Sequence, residues 1–189
     1  MGYVKWSYDT LNTFCHDVFR KFGFNEEQTN IIKDVLLTAD LYGIESHGMQ
    51  RMVRYDKGIE KGTIHPDAEP EVVFETPVSA VIDGHDGMGQ LISHFAMEKA
   101  IEKAKKTGVG FVSVRNSNHF GIAGYYAKMA VAWAVSVYFA AFPDEMLTYL
   151  QDGHKLDEFT YKKSLQKITE SYRVDKKMKK IVKEMRQRG

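Results

Sequence analysis

The sequence predicts an α/β fold made of an N-terminal helical layer, a mixed-sheet α/β layer and C-terminal amphipathic helices. Three observations lead there. Apolar residues recur at helical spacing through the first third, while short runs of branched residues alternate with amphipathic stretches through the middle. Beyond His154, apolar stripes return at spacings of three and four within a densely charged segment. A chain of 189 residues, 43% of them hydrophobic, has enough apolar surface to bury a core. The expected organisation is a helical segment over 1–70, a partial α/β domain over 71–143 and a basic helical tail over 144–189.

Taken in order, Leu11, Phe14, Cys15, Val18 and Phe19 mark a first helix. Asn25 followed by Gln28 resembles a capping pair that opens a second, with Ile31, Ile32, Val35, Leu36 and Ala39 inward and a stop near Gly43. Ser46 is read as the N-cap of a third helix running towards Gly58 or Gly62, with Met49, Met52 and Val53 facing the core. In such a helix His47, Arg51 and Tyr55 share one face, and it is not the apolar one. Pro66 and Pro70 mark a loop, after which 72–74 and 78–83 read as strands. The segment Asp83 to Gln90 reads as a glycine-dense turn leading into a helix from about Leu91 to Lys106, with Phe95, Ala96, Ile101 and Ala104 apolar. Phe111 to Val114 is the next strand. A helix then follows Phe120-Gly121, and Ala134 to Ala141 reads as a further strand ended by Pro143. In the tail, Tyr161, Leu165, Ile168 and Tyr172 form one stripe and Val174, Met178, Ile181, Val182 and Met185 another, both in need of a partner surface.

Composition narrows the function classes. A lone cysteine, Cys15, leaves no internal disulfide, which points to a reducing compartment, the cytoplasm. No signal-like apolar run follows Met1, and the longest apolar run, Ala130 to Phe142, is too short for a bilayer. No membrane partner is expected. The net charge of +1 conceals an asymmetry. From His154 onward twelve Lys/Arg face five Asp/Glu, a balance of +7 against −6 for the preceding residues. Acidic residues are interspersed in that tail and no aromatic stacking platform accompanies it, so a solvated helix face is expected rather than a nucleic-acid surface. His16, His65, His85, His94 and His154 lack paired ligand spacing, and no metal site is expected. The glycines at 84, 87 and 89 match neither the dinucleotide fingerprint nor a P-loop.

Two segments carry candidate chemistry: Gly43-Ile44-Glu45-Ser46-His47-Gly48 with Arg51 and Tyr55, and Asn116-Ser117-Asn118-His119-Phe120-Gly121. An imidazole can exchange a proton with a hydroxyl or ketone near neutral pH, and a guanidinium can grip a carboxylate with two parallel hydrogen bonds. These are the residue types that binding a small 2-oxo or 2-hydroxy acid would use: Arg51 for the carboxylate, His47 as proton donor, Ser46 and Tyr55 as orienting hydroxyls. The same pattern also suits an exposed polar helix face. The second segment reads as a strand-end loop presenting Asn118 and His119 to a ligand, and equally as a polar turn whose Asn and Ser cap the next helix.

Leu41 to Gly48, Arg51, Tyr55, the Ile82-Asp83-Gly84 to Gly89-Gln90 segment, Asn116 to Gly121 and Gly124-Tyr125-Tyr126-Ala127 together resemble the malate/L-lactate dehydrogenase family, the NAD(P)-dependent group without a Rossmann domain. The similarity covers roughly the first 130 residues. It implies that His47 and His119 are the proton-transfer residues, with the assignment between them varying among members. Arg51 and Tyr55 would hold and orient the substrate, with Ser46 and Asn118 beside them. It further implies hydride transfer between NAD or NADP and a small 2-hydroxy or 2-keto acid, in a homodimer. Phe120 and Gly121 are the candidates for cofactor contact. Family members are considerably longer, and most of their cofactor contacts lie beyond the second histidine motif. Here Val131 to Pro143 faintly echoes the next strand and the remainder is unrelated, so a shortened chain is expected, by frameshift, deletion or fusion. Two other readings remain: a catalytically silent relative serving as a folded interaction module, and a nucleic-acid binder acting through the basic tail.

Overall fold

A computed structural model describes residues 4–152 and 154–188. Met1 to Tyr3 of the N-terminal reading and Gly153 of the junction before the tail lie outside the described residues. The chain divides into two compact units, Met1–Tyr125 and Tyr126–Gly189.

The first unit begins with α1 (Tyr8–Lys21), whose Ser7 cap accepts a hydrogen bond from the Thr10 backbone amide at 3.2 Å. Cys15 and Phe19, four apart, bury one stripe. Phe14, expected inward, is 55% exposed because it lies about 100° around the helix from Cys15. α2 (Glu26–Leu41) opens on the predicted capping box: Asn25 accepts from the Gln28 amide and Gln28 accepts from the Asn25 amide, both at 2.9 Å. Satisfying two orphan N–H groups at once fixes where the helix starts. Ile32, Val35, Leu36 and Ala39 are buried as expected, and Ile31 sits at the rim.

The segment after Gly43 departs from the expected continuous helix. Two 3₁₀ turns, Glu45–His47 and Met49–Arg51, precede α3 (Met52–Glu60). Ser46 lies inside the first turn and caps nothing. Asp40 of α2 does that work instead, its Oδ2 accepting from the Met49 amide at 2.9 Å. A β-carbon on Gly48 would fall 1.8 Å from Asp40 Oδ1, so only glycine lets that carboxylate in. The break rotates α3 relative to the preceding turns. Tyr55 consequently enters the core, while Val53, predicted inward, is 61% exposed. Cys15, Phe19, Phe24, Ile32, Leu36, Met52, Tyr55 and Met88 form one apolar cluster.

A three-stranded sheet follows in the order β1-β2-β3, with β1 (Glu71–Glu75) antiparallel and β3 (Phe111–Ser117) parallel to β2 (Ser79–Gly87). Parallel neighbours require a crossover, and α4 (Gly89–Thr107) supplies it, packing on β2, β3 and α2. Buried Lys103 ties α4 to the β1 end through Glu75 Oε1 at 2.9 Å and the Thr76 carbonyl. The predicted turn over Asp83 to Gln90 is a correction: β2 runs on to Gly87, with a register irregularity after Asp83, and α4 starts at Gly89. His85 and Asp86 take positive φ at that irregularity.

α5 (Ala123–Ala141) begins at the end of the first unit and runs into the second. The strand predicted over Ala134 to Ala141 is the rest of this helix. Alanines at 123, 127, 130, 132 and 134 favour helix, and these outweigh the branched residues nearby. Pro143 ends no strand; it opens α6 (Pro143–Asp152), where its missing N–H costs nothing. α7 (Glu158–Glu170), capped by Asp157, and α8 (Lys176–Arg188) complete the second unit. The apolar stripes of the tail find their cover here: Leu165, Ile168, Val174 and Val182 pack with Val135 and Phe139 of α5 and Leu150 of α6. Tyr172 lies past the end of α7 and is 86% exposed. Among the described residues no helix is long and apolar enough to cross a membrane.

Candidate active site

The site is assembled from the two 3₁₀ turns, α3, the start of α4 and the segment that follows β3. Asp83, at the end of the regular part of β2, accepts hydrogen bonds from the His85 amide at 3.0 Å, from Asn116 Nδ2 at 2.9 Å and, on its other oxygen, from Arg115 Nε at 2.8 Å. The hydrogen bond from the His85 amide, and then that from Asn116, hold its carboxyl down at about 2. This carboxylate locks β2 to β3 just before the second histidine motif. Asn116 has a positive φ of 49° there.

Asn118 binds backbone on three sides. Its Nδ2 donates to the carbonyls of Thr63 at 3.1 Å, Asp86 at 2.8 Å and Gly87 at 3.1 Å. Neither Asn116 nor Asn118 caps the next helix. Gly89 lies under the same loop, where a β-carbon would fall 2.3 Å from the Asn118 carbonyl oxygen and 2.4 Å from that of His119. The glycine-dense stretch thus serves close packing of the α4 start against the His119 backbone.

His119 and His47, seventy-two positions apart, approach with ring centroids 5.3 Å apart and a 34° angle between planes. Tyr55 Oη lies 2.8 Å from His119 Nδ1, and Gln90 Nε2 donates to the same hydroxyl at 2.7 Å. Burial pushes the Tyr55 phenol up to about 12, so it keeps its proton. His119 Nε2 is buried without a partner among the described residues. Burial first, then the charges of Arg51, His47 and Arg54, bring His119 down to about 4, and the ring is neutral near pH 7. His47 Nδ1 is 2.9 Å from Ser46 Oγ, and Arg51 Nε donates to the Ser46 carbonyl.

A match to the sequence profile of malate/L-lactate dehydrogenase extends over residues 6–140. The chain belongs to the malate/L-lactate dehydrogenase family. Malate dehydrogenase of Pyrococcus abyssi is 51% identical over 129 residues, which are 68% of this chain and 36% of that protein. L-sulfolactate dehydrogenase of Methanocaldococcus jannaschii is 50% identical over 115 residues, 61% of this chain and 33% of that one. The solved malate dehydrogenase of Pyrococcus horikoshii superimposes with a TM-score of 0.66 at 46% identity, covering 69% of this chain and 39% of that one. This family member therefore spans about a third of the length of the curated relatives it matches. Those relatives are named as dehydrogenases, which are oxidoreductases.

Of the residues singled out in the sequence, His47, Ser46, Tyr55 and His119 come together in this family member. Arg51 sits beside them, close enough for its charge to act on His119. Phe120 and Gly121 directly follow the second histidine; Phe120 is exposed, and a β-carbon on Gly121 would meet Val35 at 2.4 Å. Gln90 and Arg54 were missed. A glutamine following a glycine-dense stretch and a second arginine on an exposed helix face carry no pattern that distinguishes them from ordinary surface residues.

Proposed function

We propose that this chain supplies the substrate-activating groups of an NAD(P)-dependent dehydrogenase acting on a small 2-hydroxy or 2-keto acid. The observation that carries the reading is the buried, unpartnered Nε2 of His119, on a ring whose centroid is 5.3 Å from that of His47 in a cationic surrounding. A neutral imidazole that directs an N–H at a carbonyl oxygen polarises it without giving up a proton. His119 therefore acts as hydrogen-bond donor to the carbonyl. His47, with Ser46 on its Nδ1, exchanges the proton, and Arg51 grips the carboxylate with Arg54 adding charge. Tyr55 orients His119 from inside the core. Asn118 holds the loop rather than the ligand, since its amide nitrogen is taken up by three carbonyls.

When bound, a nicotinamide would supply or accept the hydride at C2. The orphaned N–H and the cations fit the substrate side of such a reaction. Phe120 and Gly121, which directly follow His119, are the proposed contacts on the cofactor side. We further infer a homodimer, by family resemblance, and a cytoplasmic setting, because a lone cysteine leaves no internal disulfide. The test is reduction of 2-keto acids, the oxidised partners of malate and sulfolactate among them, with NADH or NADPH. Saturable turnover is expected, falling about 10²- to 10⁴-fold in His47→Ala. No cofactor binding at millimolar concentration would remove the reading.

A further inference from the structure

We propose that Gln90 is a positioning residue that fixes the tautomer of His119 through the hydroxyl of Tyr55. The inference rests on the reading of His119 given above, and its test is independent of turnover. Gln90 is fully buried at the start of α4, and its Nε2 donates to Tyr55 Oη at 2.7 Å. With that side of the phenol occupied by a donor, the tyrosine's own hydrogen points to the acceptor on the other side, His119 Nδ1, at 2.8 Å. An imidazole that accepts at Nδ1 carries its hydrogen on Nε2 when neutral. That nitrogen is the buried atom left without a partner.

The relay runs from amide to phenol to imidazole, and ends in a buried donor that has no partner among the described residues. It also resists protonation of the ring. An imidazolium would present N–H at Nδ1 to a hydroxyl that already points its hydrogen there, and the phenol would have to turn away. Gln90 thus holds His119 as a neutral donor, which separates its task from that of His47. Reversing the amide would reverse the whole chain: the phenol would donate to Gln90, and Nδ1 would carry the hydrogen.

The experiment is long-range ¹H–¹⁵N correlation spectroscopy on the ¹⁵N-labelled full chain, with the His119 signals identified by their loss in His119→Gln. The wild type is expected to show the Nε2–H tautomer near neutral pH; the Nδ1–H tautomer would overturn the proposal without any further variant. In Gln90→Glu, above about pH 9, where even a deeply buried glutamate ionises, the carboxylate takes the Tyr55 hydrogen and His119 is expected to switch to Nδ1–H. A tautomer that stays on Nε2 in that variant, while the wild type at the same pH is unchanged, would also overturn it. Keto-acid turnover, measured in parallel, is expected to drop at least tenfold in Gln90→Glu with KM little altered. A tautomer that switches in a protein without dehydrogenase activity would leave the relay standing and remove the dehydrogenase reading alone.

Discussion

The side chain that decides most is Tyr55. It belongs to the apolar cluster of Phe19, Ile32 and Met88 by its ring and to the candidate site by its hydroxyl, so it joins core packing to the orientation of His119. Tyr55→Phe should leave the buried Gln90 amide without its acceptor. A loss of about 1–3 kcal/mol is expected, read as a lower urea midpoint with an unchanged slope; an unaltered midpoint would show the hydrogen bond to be immaterial. Tyr55 illustrates what a helical wheel misses. His47, Arg51 and Tyr55 are evenly spaced by four, yet the backbone between them is not one helix, and Tyr55 points inward. The residue types were readable from the chain, and their directions were not.

At the scale of elements, the junction of β2 and α4 positions the second histidine. Gly89→Ala would place a methyl group against the carbonyls of Asn118 and His119. Because both obstacles are backbone, the loop must move; about 1–3 kcal/mol of destabilisation is expected, with loss of keto-acid turnover larger than the stability change alone accounts for. Wild-type activity in this variant would disprove the close approach. In the second unit, Phe139 of α5 is fully buried among Leu150, Leu165 and Val182. Phe139→Ala should cost about 3–5 kcal/mol, measured as early melting in circular dichroism, and a change below 1 kcal/mol would place the unit's core elsewhere. The elements that local signals specify, the capping box of α2 and the alternating strands, are those the sequence located well. Its errors fall at Asp83–Gln90, where glycines at 84, 87 and 89 imitate a turn, and at Ala134–Ala141, where branched residues inside an alanine-rich helix imitate a strand. Both are cases in which a short window is ambiguous and only the neighbouring chain resolves it.

For the molecule as a whole, acid stability sums two opposite kinds of group. His119 has its proton affinity lowered from 6.5 to about 4, so the unfolded chain binds the proton first, and stability is lost as pH falls from 6.5 through 4. Asp83 is lowered from 3.8 to about 2, and its contribution is lost in the next window, below 3.8. Thermal melts of His119→Gln should therefore flatten the wild-type decline between pH 6.5 and 4 and leave the steeper loss below it; parallel curves throughout would sink the assignment. The +7 carried from His154 onward lies on α7, α8 and their flanks, and the apolar sides of those helices are covered within the second unit. By itself the sequence determined the family, the α/β class, the start of the second helix at its capping box and the two histidine motifs, because caps, periodicity and motif order are local properties of neighbouring residues. Only the tertiary structure decided that Asp40 caps the turn after His47, that Gly89 makes room for His119 and that Gln90 reaches it through Tyr55. Those relations join residues between nine and thirty-five positions apart, in different elements, and distance in space is not encoded in distance along a chain.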